Sequence, residues 1–161
     1  MAVFPERIIS GGQTGVDRAA LDFAIERGFD YGGYCPKGRR AEDGAIPLHY
    51  NLTETKSADY AERTEKNVDA ADGTLILHRG ELSSGTQFTA ELCAYKEKPL
   101  FLIDLDSAVD RTAAFQSWLK KNHIKTLNVA GPRESQRPGI SAQAAAVLRQ
   151  LLERRTRPRN K

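Results

Sequence analysis

The sequence predicts an α/β chain of Rossmann-like type, a three-layer sandwich in which helices flank a mostly parallel sheet. Three observations lead there. Short apolar strand segments alternate with amphipathic helical segments along nearly the whole chain. Two of the strands, residues 73–77 and 99–103, are apolar almost throughout, as expected of strands covered on both faces. Several strands run into Gly- or Ser-rich turns that open a helix.

Taken in order, residues 7–10 read as the first strand, followed by Gly11, Gly12, Gln13, Thr14 and Gly15. A helix follows, with Val16, Ala20, Phe23 and Ala24 on one face, and Gly28 stands where a C-cap glycine belongs. Residues 31–35 read as a second strand. Residues 36–52 carry too many Gly, Pro and charged residues for a regular element and read as a long functional loop. Residues 57–71 form a polar helix, and residues 73–77 the next strand. After Ser83, Ser84, Gly85 and Thr86 comes a helix with Phe88, Leu92 and Tyr95 on one face. Beyond the strand at 99–103, residues 113–121 are helical, with Phe115, Trp118 and Leu119 facing inward. Residues 126–130 are the last strand. A final helix spans about 141–153, with Ser141 as its N-cap and Ala144, Val147, Leu148 and Leu151 as its stripe.

The chain has 161 residues, 40% hydrophobic and 28% charged, which fits one globular domain over residues 1–153. No apolar run is long enough to cross a membrane and the N-terminus lacks a signal-peptide core, so a cytoplasmic location is expected. Two cysteines, Cys35 and Cys93, are too few for a disulfide framework and are expected to be reduced. The five basic residues after Glu153 exceed the net charge of +3, so residues 1–153 are net −2. A basic tail at 154–161 could touch nucleic acid, but a frayed, solvated terminus is expected there, and nucleic acid is not expected as a partner.

In an open parallel sheet, ligands bind at the carboxyl ends of the strands, where strand order reverses. Three turns belong to that edge: 11–15, 83–86 and 131–135. Each can aim main-chain N–H groups outward, and each helix adds the positive end of its dipole. Candidate anion-binding residues are therefore Gly11, Gly12, Gln13, Thr14, Gly15, Ser83, Ser84, Gly85, Thr86 and Gly131. Tight βα turns alone would also explain the glycines. Lys37, Arg39 and Arg40 in the overhanging loop could add positive charge, or could be solvated. Arg18 and Arg133 could contact an anion, or pair with Asp17 or Glu134. No Cys/His spacing suggests a metal site, and no catalytic residue is assigned. Asp104 and Asp106 follow a strand and could serve a metal or ribose, or cap a turn.

The segments GGQTGVDRAALD (11–22), CPKGRRAEDGAIP (35–47), DYAERTEKNV (59–68), ADGTLIL (71–77), SSGTQFTAEL (83–92) and LNVAGPRES (127–135) resemble the putative molybdenum carrier family. That family is related to molybdenum cofactor carriers and, more distantly, to a superfamily that includes the lonely-guy phosphoribohydrolases. The resemblance implies a homo-oligomeric carrier that holds the molybdenum cofactor (molybdopterin), an anionic phosphorylated pterin, with molybdoenzymes as clients. The alternatives are an enzyme acting on nucleoside monophosphates and a nucleotide-sensing module. The phosphoribohydrolases carry a catalytic Glu three residues after the Gly-Thr pair. This chain has Thr89 there, and Glu91 lies two residues on, roughly 200° around a helix.

Overall fold

A computed structural model describes residues 2–153; the expectation for the basic tail lies outside them. The first strand, β1 (Arg7–Ile9), leads through the 11–15 turn into α1 (Val16–Arg27). Val16, Ala20, Phe23 and Ala24 are buried as one stripe, and α1 stops at Gly28, whose left-handed φ of 74° lets its N–H close the last turn. Next come β2 (Asp30–Gly32), β3 (Tyr34–Cys35), β4 (Arg40–Ala41), β5 (Gly44–Ala45) and β6 (Thr53–Glu54). The remaining elements are α2 (Tyr60–Ala70), β7 (Gly73–His78), α3 (Ser84–Tyr95), β8 (Leu100–Asp104), α4 (Thr112–Lys121), β9 (Thr126–Ala130) and α5 (Ile140–Leu152).

The central sheet is five-stranded and wholly parallel, in the order β2-β1-β9-β7-β8. Counted from β9 instead of β1, that order reads 3-2-1-4-5, the order of the first five strands in a dinucleotide-binding fold. The chain therefore has a Rossmann-like sheet whose first strand comes last in sequence. The crevice at the reversal of strand order falls between β9 and β7.

The two faces of the sheet differ. Ile8, Leu75, Leu77, Phe101, Leu127 and Val129 point to one side, into a core with Val16, Phe23, Phe115, Ala144 and Leu148 of α1, α4 and α5. The alternate residues point to α2 and α3, and two of them, Thr74 and Asn128, are polar, buried and hydrogen-bonded to each other at 3.3 Å. This is why α3 turns Thr86, Thr89 and Cys93 inward and not the face expected from Phe88, Leu92 and Tyr95; Tyr95 is 86% exposed.

Three further details differ from the sequence reading. The strand expected at 31–35 breaks at Gly33, where φ is +128° and a Cβ would lie 2.1 Å from the Ser10 carbonyl oxygen. β2 stays in the main sheet, while β3 pairs with β6 in a small parallel ladder. The 36–52 segment contains the antiparallel β4–β5 hairpin, anchored on a second apolar cluster of Leu21, Cys35, Ala41, Ile46 and Tyr50. At α5, Ser141 is not the cap. The Glu134 carboxylate accepts the N–H groups of Gly139 (2.7 Å) and Ser141 (3.0 Å) and does that work. Cys35 and Cys93 are buried free thiols, and burial pushes both up in pKa.

Candidate anion-binding cleft

A cavity of about 160 Å³ opens at the crevice between β9 and β7. Gly11, Gln13, Ser83, Gly85, Thr86, Gly131 and Arg133 line it, so the structure brings together residues from all three turns. The turns contribute in different ways.

The 83–86 turn is open. Ser83 stands at the N-cap of α3 without making a capping bond; its hydroxyl donates to Thr86 Oγ1 at 2.9 Å. The first-turn N–H groups of α3 therefore lack a side-chain partner, and they carry the positive end of the helix dipole. Ser84 is exposed beside them. A Cβ added to Gly85 would meet nothing within 4 Å, so the space over the turn is free.

The 11–15 turn is closed by the protein itself. A Cβ on Gly15 would fall 2.3 Å from the Pro132 carbonyl oxygen, and Gly15 has φ of +79°. Gly12 is covered by Ile46 and Leu52. Gly131 packs against the Leu77 carbonyl and Val16. The Thr14 hydroxyl donates to the Glu42 carboxylate, which also accepts the Ser135 N–H (3.2 Å) and hydroxyl. Desolvation opposes the charge on Glu42, but the donors from Ser135 and Thr14 outweigh it and hold the carboxyl below its usual range. An internal carboxylate thus sits where these donors were expected to meet a ligand.

The cations of the first helix and the loop are also placed. Arg18 does not pair with Asp17. It donates to both carboxylate oxygens of Asp43, with Nη2–Oδ1 at 2.7 Å, and through Nε to the Gly12 carbonyl (3.1 Å). That guanidinium holds the Asp43 carboxyl below its usual range. Arg39 donates to the carbonyls of Ile46, Pro47 and Tyr50 and so fastens the loop. Lys37 is exposed and lies outside the cleft lining. Arg40 stands over the Tyr60 ring, 4.9 Å from its centroid, beside the cleft. Arg133 lies 5.4 Å from the same centroid and does not pair with Glu134. Asp104 caps a turn, accepting the Asp106 N–H at 3.0 Å.

Helix α2 supplies cleft residues that the sequence reading missed. Tyr60, Arg63 and Asn67 fall at i, i+3 and i+7, a polar stripe that faces the polar side of the sheet. Arg63 Nη1 bonds the buried Asp17 carboxylate at 3.0 Å. Burial raises the Asp17 carboxyl in pKa, against the pull of Arg63. Gly11 makes room for this pair, since a Cβ there would lie 1.9 Å from Arg63 Nη1. Two donors of the cleft wall, Gln13 Nε2 and Arg63 Nε, are buried without a partner, although Gln13 is only 5% exposed. Native proteins seldom leave such groups unsatisfied, and an acceptor from a bound molecule would satisfy them. Thr89 lines the cleft and donates to the Gly85 carbonyl (3.1 Å), whereas Glu91 is exposed and accepts from Gln87 (3.2 Å).

A family model described as the circularly permutated YpsA SLOG family matches residues 8–152. The chain belongs to that family. The description agrees with a strand order that becomes regular only when counted from β9. Among solved structures, the chain matches the crystal structure of a putative molybdenum carrier protein from Syntrophus aciditrophicus SB. The TM-score is 0.92 and the identity 45%, over 94% of this chain and 98% of that one. No curated protein matches the chain. Among the described residues, no helix is long and apolar enough to cross a membrane. No group of three or more His, Cys, Asp or Glu among them could hold a metal ion.

Proposed function

We propose that this family member binds and carries a small, phosphate-bearing anion of the molybdenum-cofactor type in the cleft between β9 and β7. The observation that carries the reading is the uncapped first turn of α3 in the same cleft as Gln13 and Arg63, two lining residues that each keep a buried donor, Nε2 and Nε, without a partner. A ligand rich in acceptors complements such a wall.

The residues fit the molybdenum cofactor in chemistry. The turn at Ser84, Gly85 and Thr86 would take the phosphate. The side-chain amides of Gln13 and Asn128 would meet the polar edge of a pterin. When bound, the cofactor brings an oxo-molybdenum centre on its own dithiolene, so the protein need not supply metal ligands. In this reading cytoplasmic molybdoenzymes are the clients, and the carrier self-associates through helices beside the sheet. The 45% identity to a putative molybdenum carrier protein supports the reading.

The phosphoribohydrolase alternative finds less support. Thr89 occupies the glutamate position with its hydroxyl engaged by Gly85, and Glu91 lies outside the cleft lining. The test is to purify the protein anaerobically, oxidise it and measure pterin fluorescence, and in parallel to incubate it with AMP. Bound pterin without adenine release is expected. Steady adenine release, or a bound nucleotide in place of pterin, overturns the proposal.

A further inference from the structure

Three guanidinium groups surround one tyrosine at the side of the cleft. Arg40, Arg63 and Arg133 lie 4.9, 5.3 and 5.4 Å from the centroid of the Tyr60 ring. They come from the hairpin, from α2 and from the turn after β9, so only the fold assembles them. Arg63 is neutralised by Asp17. Among the described residues, neither Arg40 nor Arg133 has a carboxylate within ion-pair distance. Glu42, whose charge interacts with Arg133, is engaged by Thr14 and Ser135. Two guanidiniums without a carboxylate beside one ring leave positive charge uncompensated, and the aromatic face offsets only about 0.5–1 kcal/mol per exposed cation. A cluster of this kind is completed by an anion, and arginine forks suit an oxyanion in geometry.

The geometry points to a second anion subsite, formed by Arg40, Arg63 and Arg133 around Tyr60 at the rim of the cleft and separate from the turn that opens α3. The ligand of this cleft is therefore a molecule with two anionic groups, one at each end of a polar middle. The inference rests on the reading of the cleft as a carrier site and adds the class of molecule it takes. The rest of the cleft lining includes uncharged polar residues, Gln13, Thr64, Asn128 and Gln136, which suit a neutral, hydrogen-bonding middle. Tyr60 acts as a positioning residue, spacing the guanidiniums without touching the anion.

The test is a crystal of the full chain soaked in tungstate, read by anomalous scattering. Density at both the arginine cluster and the α3 turn is expected. Density at the α3 turn alone overturns the second subsite and leaves the carrier reading in place. Density at the arginines alone keeps the subsite but overturns both the α3 placement and the two-ended ligand. Absence from both overturns the whole account. In solution, calorimetry with adenosine 3′,5′-bisphosphate and AMP reads the same question. Arg133→Gln, which breaks no ion pair, is expected to weaken the bisphosphate about tenfold while changing AMP by less than twofold. Tyr60→Phe should retain bisphosphate affinity and Tyr60→Leu should lose part of it. Equal losses for both probes with Arg133→Gln would overturn the inference.

Discussion

The turns at 11–15 and 83–86 resemble one another in sequence and behave oppositely in the fold. Each follows a strand of the same parallel sheet, opens a helix, and contains glycine and threonine. Yet the first is packed shut against residues 132–135, Ile46 and Leu52, with Glu42 seated on its hydroxyl. The second faces open space, and its N–H groups are uncapped. In the first turn, glycine lets protein approach protein. In the second, it leaves room for a guest. A glycine-rich βα turn thus reports close approach to the backbone, and neighbouring elements decide what approaches.

The comparison can be broken most directly at Gly15. Gly15→Ala forces a side chain into a left-handed conformation and against the Pro132 carbonyl, and should cost about 3 kcal/mol in urea unfolding. A loss below about 1 kcal/mol would mean that the turn is not tightly closed. Next in size is Gly85→Asp, which places a carboxylate over the open turn without a clash. Phosphate-type probes should bind at least about tenfold more weakly while stability shifts by less than about 1 kcal/mol.

Glu42→Ala should destabilise by about 1 kcal/mol, a modest figure for an exposed carboxylate that accepts hydrogen bonds. The same contact has a pH signature. The Glu42 carboxyl titrates below its unfolded value, so its contribution is whole above the ordinary carboxylate range and is lost as pH falls through the lowered value. Amide exchange in the β4–β5 hairpin, corrected for its intrinsic pH dependence, should therefore accelerate only on the acid side. Acceleration near neutrality would mean that another group holds the hairpin. The smallest effect is expected for Gly85→Ala. Nothing lies in the way of its Cβ, and alanine favours helix, so stability should hold or rise by up to about 1 kcal/mol in the same urea assay.

Much of the fold was legible because its signals are local. The stripe of α1, the glycine that ends it, and the strands β7 and β9 were placed from local signals alone. The break at Gly33 was not legible, because its cause is the Ser10 carbonyl, distant in sequence. The inward face of α3 was misjudged for a similar reason. Apolar spacing nominated Phe88, Leu92 and Tyr95, but the sheet surface beneath the helix carries Thr74 and Asn128 and accepts Thr86 and Thr89. At the cleft, the residues of the three turns could be proposed from the sequence, whereas nothing in the polar helix at 57–71 singled out Tyr60, Arg63 and Asn67.

By itself the sequence determined which segments become strands and helices, and that glycine-rich turns gather at one edge of a parallel sheet. These depend on periodicity and on backbone conformations that few residues adopt. Only the tertiary structure decided which donors remain free. Whether Arg39 reaches three carbonyls, Arg18 reaches Asp43, or Arg133 stays unpaired over Tyr60 depends on groups brought near from distant parts of the chain. A charge's availability is a property of its neighbours, and sequence order does not supply them.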